Sequence, residues 1–236
     1  MRVLITRPRP DAEALAALLR ERGIESLIEP LLEIIPTPVP ALDLDDVQAL
    51  LLTSANGARA LAHKTDRRDL VVFVVGPATA ATARDAGFAD VTVADGDVAA
   101  LADLVESRLD AAGGALLHVS GSAVAGDLAG RLGCVGFEVR RAVLYEARPA
   151  TALSDTAMAA IAQGDIDSVL LFSPRTAESF VRLSRQASLA LDGLRALCLS
   201  PAVADQAEAT PWGEIAVAAR PDQDALLALI QTPPGD

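Results

Sequence analysis

The sequence predicts an α/β protein made of two similar doubly wound parallel-sheet domains, the second inserted into the first and joined to it by a two-stranded linker. Three observations carry this reading. Short β-branched apolar runs alternate with amphipathic stretches, the pattern of parallel strands covered by helices on both faces. The runs end in residues suited to helix starts, namely Ser54, Gly76-Pro77, Ser173-Pro174 and Ser200-Pro201. The series also repeats: Leu31 to Pro36 matches Leu144 to Pro149, Ser54 matches Ser173, and Gly76-Pro77 matches Ser200-Pro201, at an offset that grows slowly as loop insertions would make it. The expected boundaries are 1–35 and 149–236 for the discontinuous first domain and 38–146 for the inserted one. Both sheets are expected to aim their carboxyl ends at a cleft between the domains, with the double linker leaving the angle between them soft.

Taken in order, Val3 to Thr6 reads as a first strand. Asp11 is expected to cap a helix whose Leu15, Leu18 and Leu19 share a face and which Gly23 closes. Ser26 to Ile28 is a second strand. Three alternating prolines then make Leu31 to Pro40 a stiff extended crossover, because proline removes the donors a helix needs. Ala49 to Thr53 is a strand entering a helix capped by Ser54. Val71 to Val75 is a buried strand, Pro77 sits at a first helical position, and Gly87 follows the helix in the left-handed conformation. Val91 to Val93 is a strand, and Asp97 caps a helix with Leu101, Leu104 and Val105 facing inward. After Gly113-Gly114 come a strand through Val119, a turn at Ser120-Gly121-Ser122, a helix ending near Gly133, and a strand into Val143 to Pro149. The pattern then returns: Ser168 to Phe172 enters Ser173-Pro174, Leu197 to Leu199 enters Ser200-Pro201, Ile215 to Ala218 is a short strand, and Asp222 starts a last helix with Leu226, Leu227 and Ile230.

With 236 residues, 51% of them hydrophobic, the chain can bury two sizeable cores. Its formal charge of −12 and the lack of a basic stripe argue against a nucleic-acid partner. No apolar run reaches the roughly 20 residues of a membrane span, and the N-terminal run is too short for a signal peptide, so a cytoplasmic protein is expected. Cys134 and Cys198 are expected to be reduced, packed thiols, and the isolated His63 and His118 to be structural rather than metal ligands.

Most motifs with clear mechanics are absent. The run Gly121 to Gly126 has the spacing of a phosphate loop, but Asp127 stands where the lysine must be. Lys64, the only lysine, lies in a charged and solvated segment, which disfavours Schiff-base chemistry. What remains is a set of helix-start turns bearing small hydroxyls: Ser54, Thr79, Ser120, Ser122, Ser173, Thr176 and Ser200. Amide donors and hydroxyls gathered at one cleft, with Arg7, Arg9 and Arg175 at its edge, suit a ligand with many carboxylates. Three functions fit so far: an enzyme for such a ligand, a cytosolic hinged binding protein for a small polycarboxylate, and a nucleotide-dependent transferase, the last weakened by the missing phosphate-loop lysine.

Several short segments, in order and along nearly the whole chain, carry a family resemblance: Leu4-Ile5-Thr6-Arg7-Pro8, Thr53-Ser54-Ala55-Asn56-Gly57, Val75-Gly76-Pro77-Ala78-Thr79-Ala80, Leu144-Tyr145-Glu146, Phe172-Ser173-Pro174 and Ala219-Arg220-Pro221. The sequence resembles the uroporphyrinogen-III synthase family. That resemblance implies a cofactor-independent, metal-free carbon–oxygen lyase acting on linear hydroxymethylbilane. The reaction loses the terminal hydroxyl as water and closes the ring with the last pyrrole inverted, through a spiro intermediate, to give uroporphyrinogen III for haem and other tetrapyrroles. It also implies a monomer and leaves room for direct hand-over from hydroxymethylbilane synthase. Tyr145 matches the family's tyrosine and is the catalytic candidate, its hydroxyl assisting departure of the leaving group. Ser54, Thr79 and Ser173 match cleft positions. With Arg7, Asn56, Ser120, Gly121, Arg175, Thr176 and Ser200 they form the expected substrate-binding set. One departure stands out: where the family has glycine, proline and two threonines, this chain has Ser200-Pro201-Ala202-Val203, so the hydroxyl expected near Val203 is missing.

Overall fold

The computed structural model describes residues 1–94, 96–124 and 126–231. The chain divides into two compact units, Met1–Glu33 with Arg148–Asp236, and Ile34–Ala147.

The first unit holds β1 (Arg2–Ile5), α1 (Arg9–Glu21) and β2 (Glu25–Ile28). The chain leaves it along β3 (Leu32–Pro36). The second unit then runs β4 (Val47–Leu52), α2 (Ala55–Ala62), β5 (Val71–Val74), α3 (Pro77–Asp85), β6 (Val91–Val93), α4 (Val98–Arg108), β7 (Ala115–Gly121) and α5 (Leu128–Cys134). It returns along β8 (Val139–Pro149) to α6 (Asp155–Ala162), β9 (Ser168–Leu171), α7 (Pro174–Gln186), β10 (Arg195–Cys198), α8 (Pro201–Ala207), β11 (Glu214–Val217) and α9 (Gln223–Ala228).

In the first unit the strand order is β11-β10-β9-β1-β2, with every neighbour parallel. Successive residues of each strand alternate between two cores, as a pleated sheet requires. Leu4, Val169, Leu171, Ala196 and Cys198 pack with Ala157, Phe180 and Val203 of α6, α7 and α8. Val3, Ile5, Leu170 and Leu197 pack with Leu15 and Leu19 of α1 and Leu226 of α9. The buried carboxylate of Glu29, just past β2, accepts hydrogen bonds from Ser154 N–H at 2.7 Å and Ser154 Oγ at 2.6 Å, which satisfies it and anchors the start of α6.

In the second unit the order is β3-β8-β7-β4-β5-β6. Leu50, Leu52, Val72, Val74, Leu117 and Val119 face α2 and α3, while Ala49, Leu51, Phe73 and Leu116 face α4 and α5. The linker strand β3 lies beside β8. Ala150 N–H donates to Leu31 O at 3.0 Å and Thr37 N–H to Leu144 O at 2.9 Å, so the two crossings of the chain run antiparallel.

The two sheets have the same spatial order once the first unit is cyclically permuted. Reading β9, β10, β11, β1, β2 against β4, β5, β6, β7, β8 turns β11-β10-β9-β1-β2 into β6-β5-β4-β7-β8. The sequence matches Ser54 with Ser173 and Gly76 with Ser200 fall after equivalent strands of this scheme.

Several local expectations need correction. Asp11 does not cap α1: the helix begins at Arg9 after an extended Pro8, with Pro10 in its first turn, and Asp11 instead supplies first-turn negative charge and pairs with Arg7 at 3.5 Å. The strand β7 runs on through Ser120 and Gly121, and α5 starts only at Leu128 under an Asp127 cap. Ser120 and Ser122 therefore do not sit at a helix start. The helix α6 is not among the expected elements, although Ser154 accepts from Ala157 N–H as an ordinary cap. Cys134 is exposed rather than packed, because it ends the short α5; Cys198 is buried, and burial pushes its thiol up to about 12. His63 is exposed, whereas His118 is buried, with an Nε2 that has no hydrogen-bond partner among the described residues.

Candidate active site

Open parallel sheets bind ligands outside the carboxyl ends of their strands, where the chain reverses its direction of winding. In the second unit β4, β5 and β6 wind one way and β7 and β8 the other, so the reversal lies between β4 and β7. A pocket of about 340 Å³ opens there. Thr53 and Ser54 line it from just past β4, Val75 from just past β5, Gly121 from the end of β7 with Ala123 beyond it, Gly96, Asp97 and Val98 from the start of α4, and Tyr145 from β8.

Tyr145 is 7% exposed and packs in the core between the sheet and α2 and α3, together with its neighbour Leu144. Its ring lies over Gly121: a Cβ at that position would stand 2.8 Å from Tyr145 Cε2 and 3.0 Å from Cζ. The close approach requires glycine. The phenol hydroxyl has no hydrogen-bond partner among the described residues, which leaves it able to donate to a ligand. Ser54 Oγ accepts from Asn56 N–H at 3.2 Å. Asp97 Oδ1 accepts from Ala99 N–H at 2.8 Å and Ala100 N–H at 3.0 Å. The Ala100 and Ala99 bonds hold the Asp97 carboxyl below the usual range and commit this carboxylate to capping α4.

The structure thus gathers Ser54, Gly121 and Tyr145 in one pocket and adds Thr53 and Asp97. Sequence reasoning places Asp97 only as a cap and Thr53 only within a motif. Asn56 lies on the first turn of α2, where its Oδ1 accepts from Arg59 at 3.0 Å. Thr79 is 6% exposed on α3 and does not line the pocket. Ser120 is 2% exposed, and its Oγ accepts from Arg141 Nε at 2.8 Å, so its hydroxyl is taken up inside the unit.

In the first unit the corresponding reversal lies between β9 and β1. Ser173 and Thr176 share a hydrogen bond of 2.7 Å between their hydroxyls, and Ser173 Oγ also accepts from Thr176 N–H at 3.2 Å. The Arg7 guanidinium lies 4.6 Å from the Phe172 ring centroid and donates to Gln223 Oε1 at 3.1 Å, which sets its direction. Arg175 is exposed at the start of α7, and Arg9 is exposed beside Glu13. Ser200 makes no side-chain capping bond, while Val203 is buried at 1% exposure inside α8. Among the described residues no group of three or more His, Cys, Asp or Glu is placed to hold a metal ion, and no helix is long and apolar enough to cross a membrane.

Two open parallel sheets of common winding, one with a tyrosine-lined pocket at its reversal point, define a two-unit α/β protein with a candidate ligand site at strand ends. The chain belongs to the uroporphyrinogen-III synthase family: the model described as uroporphyrinogen-III synthase HemD matches residues 13–228. Its fold is similar to that of uroporphyrinogen-III synthetase from Helicobacter pylori, at a TM-score of 0.64 and 19% identity, covering 98% of both chains. It is also similar to a mutant uroporphyrinogen III synthase from the extremely thermophilic bacterium Thermus thermophilus, at a TM-score of 0.57 and 19% identity, covering 98% of this chain and 97% of that one. No curated protein matches the sequence.

Proposed function

We propose that this chain converts linear hydroxymethylbilane into uroporphyrinogen III as a carbon–oxygen lyase, with Tyr145 assisting departure of the hydroxyl. The observation that carries the reading is the pocket at the β4–β7 reversal, which combines the Tyr145 phenol with Thr53 and Ser54 in a member of this family. Its volume of about 340 Å³ lies at the small end of ligand sites, which span about 300–1,000 Å³. It is sized for the reacting end of a large substrate rather than for the whole of it.

The pyrrole nitrogen lone pair expels the hydroxyl as the phenol gives up its proton, so water leaves, and the phenolate takes back the proton that the last ring sheds when closure restores its aromaticity. The methylene carbon is then the electrophile. Unassisted closure joins it to the unsubstituted carbon of the last ring. The protein must instead present the substituted carbon, and orientation of this kind can supply as much as roughly 7–11 kcal/mol of a barrier. Taken by itself, each unit carries groups suited to carboxylate arms at its strand ends: Thr53 and Ser54 in one, Arg7, Ser173 and Ser200 in the other. We place the activity in the cytoplasm and assign it no cofactor.

Product identity tests the reading: type III uroporphyrinogen supports it, and the type I isomer alone contradicts it. Tyr145→Phe separates an enzyme from a binding protein for the same ligand. The enzyme reading expects kcat to fall about 100-fold with substrate affinity retained, and unchanged kcat would remove Tyr145 from the chemistry.

A further inference from the structure

Arg141 stands on β8 directly opposite His118 on β7, and its guanidinium reaches along to the end of β7. Its Nε donates to Ser120 Oγ at 2.8 Å, and its Nη2 donates to the carbonyls of Gly121 at 2.7 Å and Ser122 at 3.0 Å. Beyond that, Ser122 N–H donates to the carbonyl of Tyr145 at 2.9 Å. Three successive residues at the end of β7 are thus held by one arginine and tied to the backbone of the pocket tyrosine. An exposed arginine that only solvates a surface has no reason to spend donors on the last two residues of a neighbouring strand and the one that follows.

The pairing of β7 with β8 explains what the clamp secures. Ser120 pairs with Val143, but Gly121 pairs with Tyr145, so Leu144 is an extra residue with no partner on β7. Regular alternation would send Leu144 and Tyr145 to opposite faces of the sheet. Both instead pack in the same core, as a bulge allows. The bulge turns the Tyr145 ring onto Gly121, where no side chain could be accommodated. The position of the ring therefore depends on where Gly121 lies, and two of the three bonds from Arg141 fix the backbone at Gly121 and Ser122.

We propose that Arg141 is a positioning residue for the ring-closing reaction, clamping the end of β7 as the platform on which the bulged Tyr145 rests. The inference builds on the synthase reading and on Tyr145 as donor. A lysine would keep the charge but not the forked donor geometry.

The chain contains one tyrosine, so the full protein grown with fluorotyrosine gives a single fluorine resonance that reports Tyr145. Arg141→Ala is expected to lower kcat about 10- to 100-fold with KM little changed, and to shift or broaden that resonance. Arg141→Lys should restore both only in part. The clamp is overturned if Arg141→Ala keeps the wild-type kcat and resonance, or if kcat falls while the resonance stays in place. Should Arg141→Ala fail to fold, Arg141→Gln, which retains a donor and much of the stem, is judged by the same two readouts. Wild-type protein yielding only the type I isomer would sink the synthase reading instead and leave the resonance to decide the clamp alone.

Discussion

Three residues in the second unit show how differently a site can be written into a sequence. Ser54 is legible because a helix start needs a hydroxyl or carboxylate acceptor, and the spacing to Asn56 announces it. Tyr145 is legible only through the family resemblance, since a lone tyrosine in an apolar strand has no local signature. Arg141 is not legible at all: its partners become neighbours through strand pairing and a one-residue bulge. Gly121 follows the same logic, and Gly121→Ala is expected to displace the Tyr145 ring and cut kcat about 100-fold, as steady-state kinetics would read. His118 carries a separate prediction. Burial first, and then the nearby Arg141 charge, lower its pKa from 6.5 to about 4. The unfolded chain therefore takes up a proton below about 6.5 that the folded chain refuses. Stability should fall as pH drops through that window toward about 4, by on the order of 2 kcal/mol at pH 5. Denaturant melts of wild type and His118→Leu at pH 7 and pH 5 check this, the variant being the less pH-sensitive of the two.

At the scale of elements, the helix starts separate stability from function. Ser173 caps α7, so Ser173→Ala should cost about 0.5–2 kcal/mol in a denaturant melt. Ser200 occupies the matching place before α8 but makes no capping bond. Ser200→Ala should therefore leave stability within about 0.5 kcal/mol while raising KM, if its hydroxyl takes the place of the one missing near Val203. A Ser200→Ala protein with unchanged KM would mean that this contact is dispensable. Most strands and helices follow from periodicity and turn chemistry, because buried parallel strands leave near-continuous apolar runs. The misreadings share a cause. Ser120-Gly121-Ser122 looks like a turn by composition, yet pairing with β8 keeps Ser120 and Gly121 in the strand, and tertiary pairing overrides local propensity. At α1, Pro8 and Pro10 move the helix start ahead of the acidic residue that looks like its cap.

At the scale of the whole molecule, the repeat is visible as matching serine, glycine and proline positions, but its cyclic permutation is not. Strand order across a sheet is set by which edges meet in space, and no residue pattern records it. The permutation places Ser54 with Ser173 and Gly76 with Ser200 after equivalent strands, and the first unit begins with the strands that correspond to the end of the second. The two reversal points nevertheless carry unlike residues, Gly121 and Tyr145 in one unit and Arg7 stacked on Phe172 in the other. One winding serves in both, and the proposed chemistry rests on what stands at the strand ends. The most direct measurement is to generate hydroxymethylbilane in place, add the purified chain, oxidise the products and separate the porphyrin isomers. A directing protein yields predominantly type III, in proportion to enzyme added; type I alone, at the rate of unassisted closure, would contradict the proposed function.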